Sequence, residues 1–489
     1  MSSNSNHQII NSNSTSTSTI KSKLLSTTTT TTNANQIASS AKLAFDKFQS
    51  SSSESKNLAL QSLKQTLSEH REEVIQANQL DLQAAKEDQN TTQAILNRLD
   101  LLSSPSKYDQ ILDGIDDVIK LDDPVGIVQS IQKLDHNLEL YKVTCPIGVL
   151  LIIFESRPEV IINITALAIK SGNAAILKGG KETSQTQKVI TNLIHASLVS
   201  SSLPSNLIQT VSSRSEISEL LKEDQFIDLV IPRGSKQLVQ NIKSNTSIPV
   251  LGHADGLCTI YVDKDAEIDT AIRCIIDAKT TYPAACNSVE TVLIHRSHLT
   301  TNSRFTELIL ALLNSKVTLK LDQSILDTLN QSQSVTSHPL FWTNCSLSKP
   351  EDYQTEWLSL TLSIHTIDSL QEAIDHINQF SSHHTDSIIS KSESNSNKFC
   401  KEVNSSSVFV NSSTRFADGY RFGFGTEIGI STSKIHARGP VGLDGLVIYK
   451  FILKSLDQNG HITNEFGDQT HQKKYLHQPI ELDGSKVPY

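Results

Sequence analysis

From Val149 onward the chain alternates short apolar runs with amphipathic stretches, and this alternation constrains the fold more than any other feature. "GVLLIIF" (148–154) is apolar throughout, as a strand covered on both faces must be. Pro158 then opens a helical stretch in which Val160, Ile161, Ile164, Leu167 and Ala168 form one stripe, and Gly172 stands where that helix would end. "AAIL" (174–177), "LIQTV" (207–211), "FIDLVI" (226–231) and "CTIYVD" (258–263) repeat the strand signal with helical stretches between them. Such a series predicts an α/β fold built on a parallel sheet with helices on both faces, an architecture that commonly binds nucleotides. A second series follows: "VETVLIH" (289–295), a helix over 303–314, "EWLSLTLSIHTI" (356–367), the helix "SLQEAIDHINQF" (369–380), "DSIIS" (386–390) and "SSVFVN" (406–411). Two α/β domains are therefore expected, preceded by helices over residues 35–88.

The ends of the chain are different. Residues 1–34 are dominated by Ser, Thr, Asn and Gln and hold no aromatic side chain, so they cannot bury enough apolar surface to offset their conformational entropy. They are read as disordered low-complexity sequence; their few basic residues fit a transit peptide poorly. Residues 457–489 read as a polar, mobile tail. A net charge of −9 argues against a nucleic-acid partner, and no apolar run is long enough to cross a bilayer. Cys145, Cys258, Cys274, Cys286, Cys345 and Cys400 are scattered without metal-ligand spacing, so no metal site is expected and a reducing compartment, the cytoplasm, fits best.

Three stretches carry chemistry. "LKGGKE" (177–182) follows a strand and precedes a helix: Gly179 and Gly180 permit a close turn, while Lys178 and Lys181 add positive charge where a helix N-terminus already favours an anion. An ordinary glycine turn would look the same, but "IPRGS" (231–235), with Arg233, Gly234 and Ser235, repeats the pattern at the end of another strand. "YPAACNS" (282–288) puts Cys286 beside small residues at the junction of the two series. A thiol placed there is either inert packing or a nucleophile, which would need a neighbouring cation or amide array to ionise. Finally, residues 411–446 combine many glycines with Arg415, Asp418, Lys434 and Arg438, and with four interleaved aromatic rings. This reads as a pocket for a small charged molecule or as a solvated surface loop.

Taken together, "GVLLIIFESRPEV", "SGNAAILKGGKE", "IPRGS", "YPAACNSVETVLIH" and "STRFADGYRFGFGTEIGISTSKIHARGPVGLDGL" resemble the gamma-glutamyl phosphate reductase family of the aldehyde dehydrogenase superfamily. The same module forms the C-terminal half of pyrroline-5-carboxylate synthetase. The resemblance runs in order from about residue 35 to about 455. It implies a Rossmann-like NADP-binding domain (35–133 and 146–284), a catalytic domain (285–444), and a small oligomerisation hairpin (134–145 and 445–456) that would make a homo-oligomer. It also implies NADPH-dependent reduction of L-glutamyl 5-phosphate to glutamate 5-semialdehyde in proline biosynthesis, with Cys286 as the nucleophile and phosphate as the leaving group. By the same resemblance Lys178, Gly179, Gly180, Lys181, Arg233, Gly234, Ser235 and Glu356 would hold the cofactor. Glu155, Arg157, Arg415, Asp418, Lys434 and Arg438 are the candidates for the substrate's charged groups. Hydrolytic members of the superfamily place a glutamate some thirty-odd residues before the cysteine; "VLGHADGLCTIYV" (250–262) has none, which favours a reductase. A hydrolytic or coenzyme-acylating dehydrogenase and a catalytically silent scaffold remain the alternatives. The stretch before residue 35 cannot hold a kinase domain, so glutamate 5-kinase is expected on a separate polypeptide that associates transiently.

Overall fold

The computed structural model describes residues 34–482 apart from residues 90, 105, 212, 254 and 301–303. The disorder expected of residues 1–33 therefore lies outside the described residues, and Ala34 already opens the helix Ala34–Phe48.

One parallel sheet has four strands in the order Ile208–Val211, Ala174–Lys178, Val149–Phe154, Leu229–Arg233. Every residue of Val149–Phe154 is buried, because helices cover both faces of this central strand. The helix Glu159–Lys170 follows Pro158 and ends at Gly172, whose φ of +76° is a conformation only glycine adopts freely. There Asn173 N–H reaches back to the Ala168 carbonyl at 2.9 Å. Leu60, Leu63 and Leu67 of the early helix Ser53–Glu69 are buried in the same core. The first strand in chain order thus has the second on one side and the fourth on the other. An open α/β sheet leaves a crevice outside its carboxyl ends where the strand order reverses in this way.

A second parallel sheet has seven strands, ordered Cys345–Leu347, Thr318–Leu321, Thr361–Ile367, Val289–His295, Cys258–Val262, Thr385–Ile389, Ser407–Val410. Its make-up corrects the expected domain limits in two places. Cys258–Val262, assigned from sequence to the first series, pairs instead with Val289–His295 and Thr385–Ile389. Conversely, Ile428, Val441 and Leu443, counted with the catalytic domain, are buried in the core of the first sheet. A strand that is apolar on both faces carries no mark of which sheet will take it. The short strands Thr318–Leu321 and Cys345–Leu347 add an edge that the sequence pattern did not reveal.

A third, antiparallel sheet joins the two segments expected to form a hairpin: Leu138–Pro146 pairs along its length with Val447–Ser455. Val128–Asp135 lies on the other side, and Gln478–Ile480 closes the edge next to Ile131, Gln132 and Lys133. That last strand corrects the mobile tail. Lys473 pairs with Asp135 at 3.2 Å, Phe466 stacks on Tyr475 at 4.4 Å, and Leu476 N–H donates to the Leu134 carbonyl at 2.9 Å. An open sheet edge offers backbone partners to any extended segment, whatever its hydrophobicity, so polar composition alone did not keep this tail free. Among the described residues no helix is long and apolar enough to cross a membrane.

Candidate active site

The crevice of the four-stranded sheet holds a cavity of about 590 Å³, bordered by Phe154, Glu155, Lys178, Ser235, Leu238 and Asn241. Ser235 caps the helix Lys236–Ser244, its hydroxyl accepting from Leu238 N–H at 3.4 Å, and its own N–H donates to Glu155 Oε2 at 3.2 Å. Gly234 has no room for a side chain, because a Cβ there would lie 2.5 Å from Glu155 Oε2 and 2.7 Å from Leu238 Cδ2. The Gly179–Gly180 turn is closed by its own Glu182: a Cβ on Gly180 would meet Glu182 Oε1 at 2.0 Å. That oxygen also accepts from both the N–H and the hydroxyl of Ser156 at 2.7 Å. Lys178 borders the cavity, whereas Lys181 is exposed. A strand-end cavity at a reversal of strand order, with a lysine on one side and a capped helix N-terminus on the other, fits a dinucleotide.

Arg233 is not among the residues bordering that cavity. Its charge is set instead among Arg157, Glu427, Glu159 and Cys286: burial and Arg157 depress its pKa, and Glu427, Glu159 and Cys286 oppose the shift. The residue read from sequence as part of the cofactor turn thus also lies within electrostatic reach of the cysteine.

Cys286 is half-buried on the turn between the helix Ile268–Thr280 and the strand Val289–His295. Its backbone is held from several directions. Gly256 packs flat against it, since a Cβ there would lie 2.1 Å from the Cys286 carbonyl oxygen and 2.5 Å from its Cα. The Cys258 thiol donates to the Cys286 carbonyl at 3.3 Å. Lys279, at the end of the incoming helix, pairs with Glu290 at the start of the outgoing strand at 2.6 Å, with side chains 0% and 1% exposed. Lys279 Nζ also donates to the Val289 carbonyl at 3.0 Å, and Ser288 Oγ to the Ala278 carbonyl at 3.1 Å. Burial pushes the Glu290 pKa up to about 7, with Lys279 working against the shift. Glu290 Oε1 accepts from Leu358 N–H at 3.4 Å, and Glu356 Oε1 accepts from Gly256 N–H at 2.9 Å. Glu356 is therefore tied to the cysteine turn through Gly256, and burial raises its pKa too.

Asn287 links this turn to the glycine-rich loop. Its side-chain amide donates to the Ala417 carbonyl at 2.9 Å, its own carbonyl accepts from Thr414 Oγ1 at 2.7 Å, and its Oδ1 accepts from the Arg415 guanidinium. Arg415 consequently stands beside Cys286: burial and Arg421 depress its pKa, and the Cys286 sulfur and Asp418 oppose. Its Nε is buried without a hydrogen-bond partner among the described residues.

The other loop residues divide. Asp418 Oδ1 accepts from Tyr420 N–H at 3.0 Å and Arg421 N–H at 3.2 Å, so it shapes the loop. Arg438 donates to the carbonyls of Thr432, Ser405 and Asn404 at 3.3, 3.4 and 2.5 Å and acts as an anchor. Lys434 is exposed, and its charge is felt by His383. Of the six substrate candidates, Arg415 lies within electrostatic reach of Cys286, Arg157 within that of Arg233, and Glu155 borders the cavity.

Sequence reasoning passed over Glu427, Asn287, Gly256 and the Lys279–Glu290 pair. Glu427 Oε2 accepts from Gly419 N–H at 2.8 Å and faces Arg233, and burial raises its pKa. A lone carboxylate in a glycine-rich loop, and an amide directly after the cysteine, were the available signals; their partners lie too far along the chain to be read, 128 residues for Asn287 and Arg415.

Comparison with known proteins agrees with this geometry. Residues 3–325 match the aldehyde dehydrogenase family. A probable gamma-glutamyl phosphate reductase of Schizosaccharomyces pombe is 47% identical over 446 residues, covering 91% of this chain and 96% of its own. The gamma-glutamyl phosphate reductase of Saccharomyces cerevisiae is 43% identical over 458 residues, covering 92% and 98%. The crystal structure of gamma-glutamyl phosphate reductase from Thermotoga maritima superposes with a TM-score of 0.80 at 33% identity, covering 86% of this chain and 98% of that one. The aldehyde dehydrogenase fold implies a nicotinamide cofactor. The chain belongs to the aldehyde dehydrogenase family of oxidoreductases and, within it, to the gamma-glutamyl phosphate reductases.

Proposed function

We propose that the protein reduces L-glutamyl 5-phosphate to L-glutamate 5-semialdehyde with NADPH, releasing phosphate, as a step of proline biosynthesis. The observation that supports this most is the placement of Cys286. It lies on a turn held by Gly256 and by the Lys279–Glu290 pair, with Arg233 and Arg415 within electrostatic reach of its sulfur.

In this reading the Cys286 thiolate attacks the acyl carbonyl, the C–O bond to phosphate breaks, and a thioester forms on the sulfur. Phosphate is a good leaving group, so no strong general acid is required. Arg233, Arg415 and Arg157 balance the negative charge of the substrate, and Glu427, facing Arg233, offers an acceptor for its amino group. The backbone N–H of Cys286 donates to the tetrahedral oxygen, and a preorganised donor of this kind costs no reorganisation when charge develops. Lys178, Lys181, the Gly179–Gly180 turn, Ser235 and Glu356 hold the cofactor. When bound, NADPH supplies the hydride that turns the thioester into the aldehyde. Asp255, the one carboxylate of the stretch where hydrolytic relatives carry their base, pairs with Lys236 at 2.6 Å.

We also infer a homo-oligomer through the antiparallel sheet. Along Val447–Ser455, Tyr449, Phe451 and Leu453 present exposed apolar side chains at the edge of the hairpin. The decisive assay runs the reaction backwards: glutamate 5-semialdehyde should reduce NADP+ only when inorganic phosphate is present. Reduction that needs coenzyme A, or none of these acyl acceptors, would overturn the proposal.

A further inference from the structure

Folding brings to Cys286 a set of donors that the reaction above leaves unused. His253, Cys286 and His384 each offer one ligand atom, and the three atoms lie within 4.8 Å of one another. His384 is 0% exposed; its Nδ1 meets Thr385 Oγ1 at 2.8 Å, and its Nε2 is buried with no hydrogen-bond partner. His253 Nδ1 faces the Ile430 carbonyl at 3.2 Å, so that nitrogen carries the proton and Nε2 keeps its lone pair. The two imidazoles meet edge to face at 5.1 Å.

We propose that His253, Cys286 and His384 form a binding site for a soft divalent cation, represented by Zn2+, and that filling this site switches the enzyme off. Two imidazole nitrogens and one thiolate, with water in the fourth position, are a donor set suited to zinc. Zinc–nitrogen bonds of about 2.0–2.1 Å and zinc–sulfur bonds of about 2.3 Å separate tetrahedral ligand atoms by about 3.4–3.6 Å. From a separation of at most 4.8 Å the ligand atoms must close by about 1 Å, through small side-chain rotations of the three residues. On binding, the thiol proton leaves to solvent and a sulfur–metal bond forms; nothing is oxidised or reduced. A sulfur lone pair held by the metal cannot attack an acyl carbon, so metal and substrate exclude each other. The ligands lie 33 (286 − 253) and 98 (384 − 286) residues apart, which is why no spacing motif reveals them. Cys258 stays outside the set: its thiol donates to the Cys286 carbonyl at 3.3 Å and meets His384 Nδ1 at 3.9 Å.

The inhibitory half rests on Cys286 being the nucleophile; the binding half does not. The test uses the full chain freed of metal by chelation, with Co2+ as a spectroscopic probe and Zn2+ as the inhibitor. The expected result is one Co2+ per chain, giving a thiolate-to-cobalt charge-transfer band and tetrahedral d–d absorption. Zn2+ should displace it, protect Cys286 from iodoacetamide and abolish turnover. Cys286→Ala should lose the band, His253→Asn and His384→Asn should each weaken binding at least about tenfold, and the exposed Cys400→Ser should leave it unchanged. Melting curves check folding; where the fully buried His384→Asn fails to fold, His253→Asn carries the test. No band in the wild type, a band that persists in Cys286→Ala, or unchanged affinity in folded His253→Asn overturns the site. Full activity with Zn2+ bound overturns the switch. A protein that shows the band but no phosphate-dependent activity refutes the proposed reaction and leaves the site standing.

Discussion

The two parallel sheets approach the active site with opposite ends of their strands. The four-stranded sheet offers carboxyl ends, where Glu155 and Ser235 border the cavity. The seven-stranded sheet offers amino ends: Cys286 precedes Val289–His295, and Cys258, the first residue of the neighbouring strand, touches the Cys286 carbonyl. At a carboxyl end the following helix points its free N–H groups at the ligand, so the turn is itself a binding site and needs little beyond room. At an amino end no such helix follows, and the shape of the turn must be imposed by its surroundings. Gly256, Ser288, Lys279 and Glu290 impose it. In the proposed reaction, binding falls to the strand-end turns and chemistry to a clamped one.

The largest expected effect separates the two functions outright. Cys286→Ser should lower kcat by about a thousandfold or more, while NADPH affinity measured by fluorescence titration stays within a few-fold of wild type. Parallel loss of both would mean that the two ends are not independent. The clamp itself is the next target. Glu290→Ala, assayed by urea denaturation below pH 7, where the pH-linked contribution of Glu290 is still present, should cost about 3–5 kcal/mol by leaving Lys279 buried and unpaired. Removal of the cap at the other end, Ser235→Ala, should cost about 1 kcal/mol and act mainly on cofactor affinity. Equal losses would erase the contrast.

A pair of glycines sharpens the comparison further. A methyl group at Gly256 meets the Cys286 backbone, which cannot step aside without moving the sulfur. Gly256→Ala should therefore reduce kcat by about a hundredfold. At Gly234 the added carbon meets only the side chains of Glu155 and Leu238, so Gly234→Ala should raise the KM for cofactor and spare kcat. The last test is a slope in pH. Burial raises the Glu290 pKa from its ordinary value of 4.5 to about 7. A carboxyl group raised in this way binds more protons folded than unfolded. Its stabilising contribution is complete below 4.5 and is lost as pH rises through about 7. Glu290→Gln should abolish that part of the fall in urea midpoint across the window; an identical pH profile in the two proteins would place the titration elsewhere.

Much of this arrangement could be read from the chain, and the parts that could not share a physical reason. The buried strand Val149–Phe154, the helix closed by Gly172, and the turns at Lys178 and Ser235 are local features, written in periodicity and turn chemistry. The sheet that accepts Cys258–Val262 is chosen by pairing partners, about which a uniformly apolar strand says nothing. The charged surroundings of Arg233 could not be read, because its position in the chain identifies a turn, whereas Glu427 and Arg157 reach it from elsewhere in the fold. The polar tail folds back because a sheet edge was left open for it, a fact recorded in residues 128–135 and not in the tail.

The central claim, that Cys286 carries the acyl group, has a direct test. The protein is mixed with glutamyl 5-phosphate generated by a glutamate kinase, without NADPH, then quenched in acid and mapped by peptide mass spectrometry. The account predicts a glutamyl thioester on the peptide containing Cys286, one phosphate released per adduct, and neither in Cys286→Ser. An adduct on another residue, or NADPH-dependent turnover in Cys286→Ser, would contradict it.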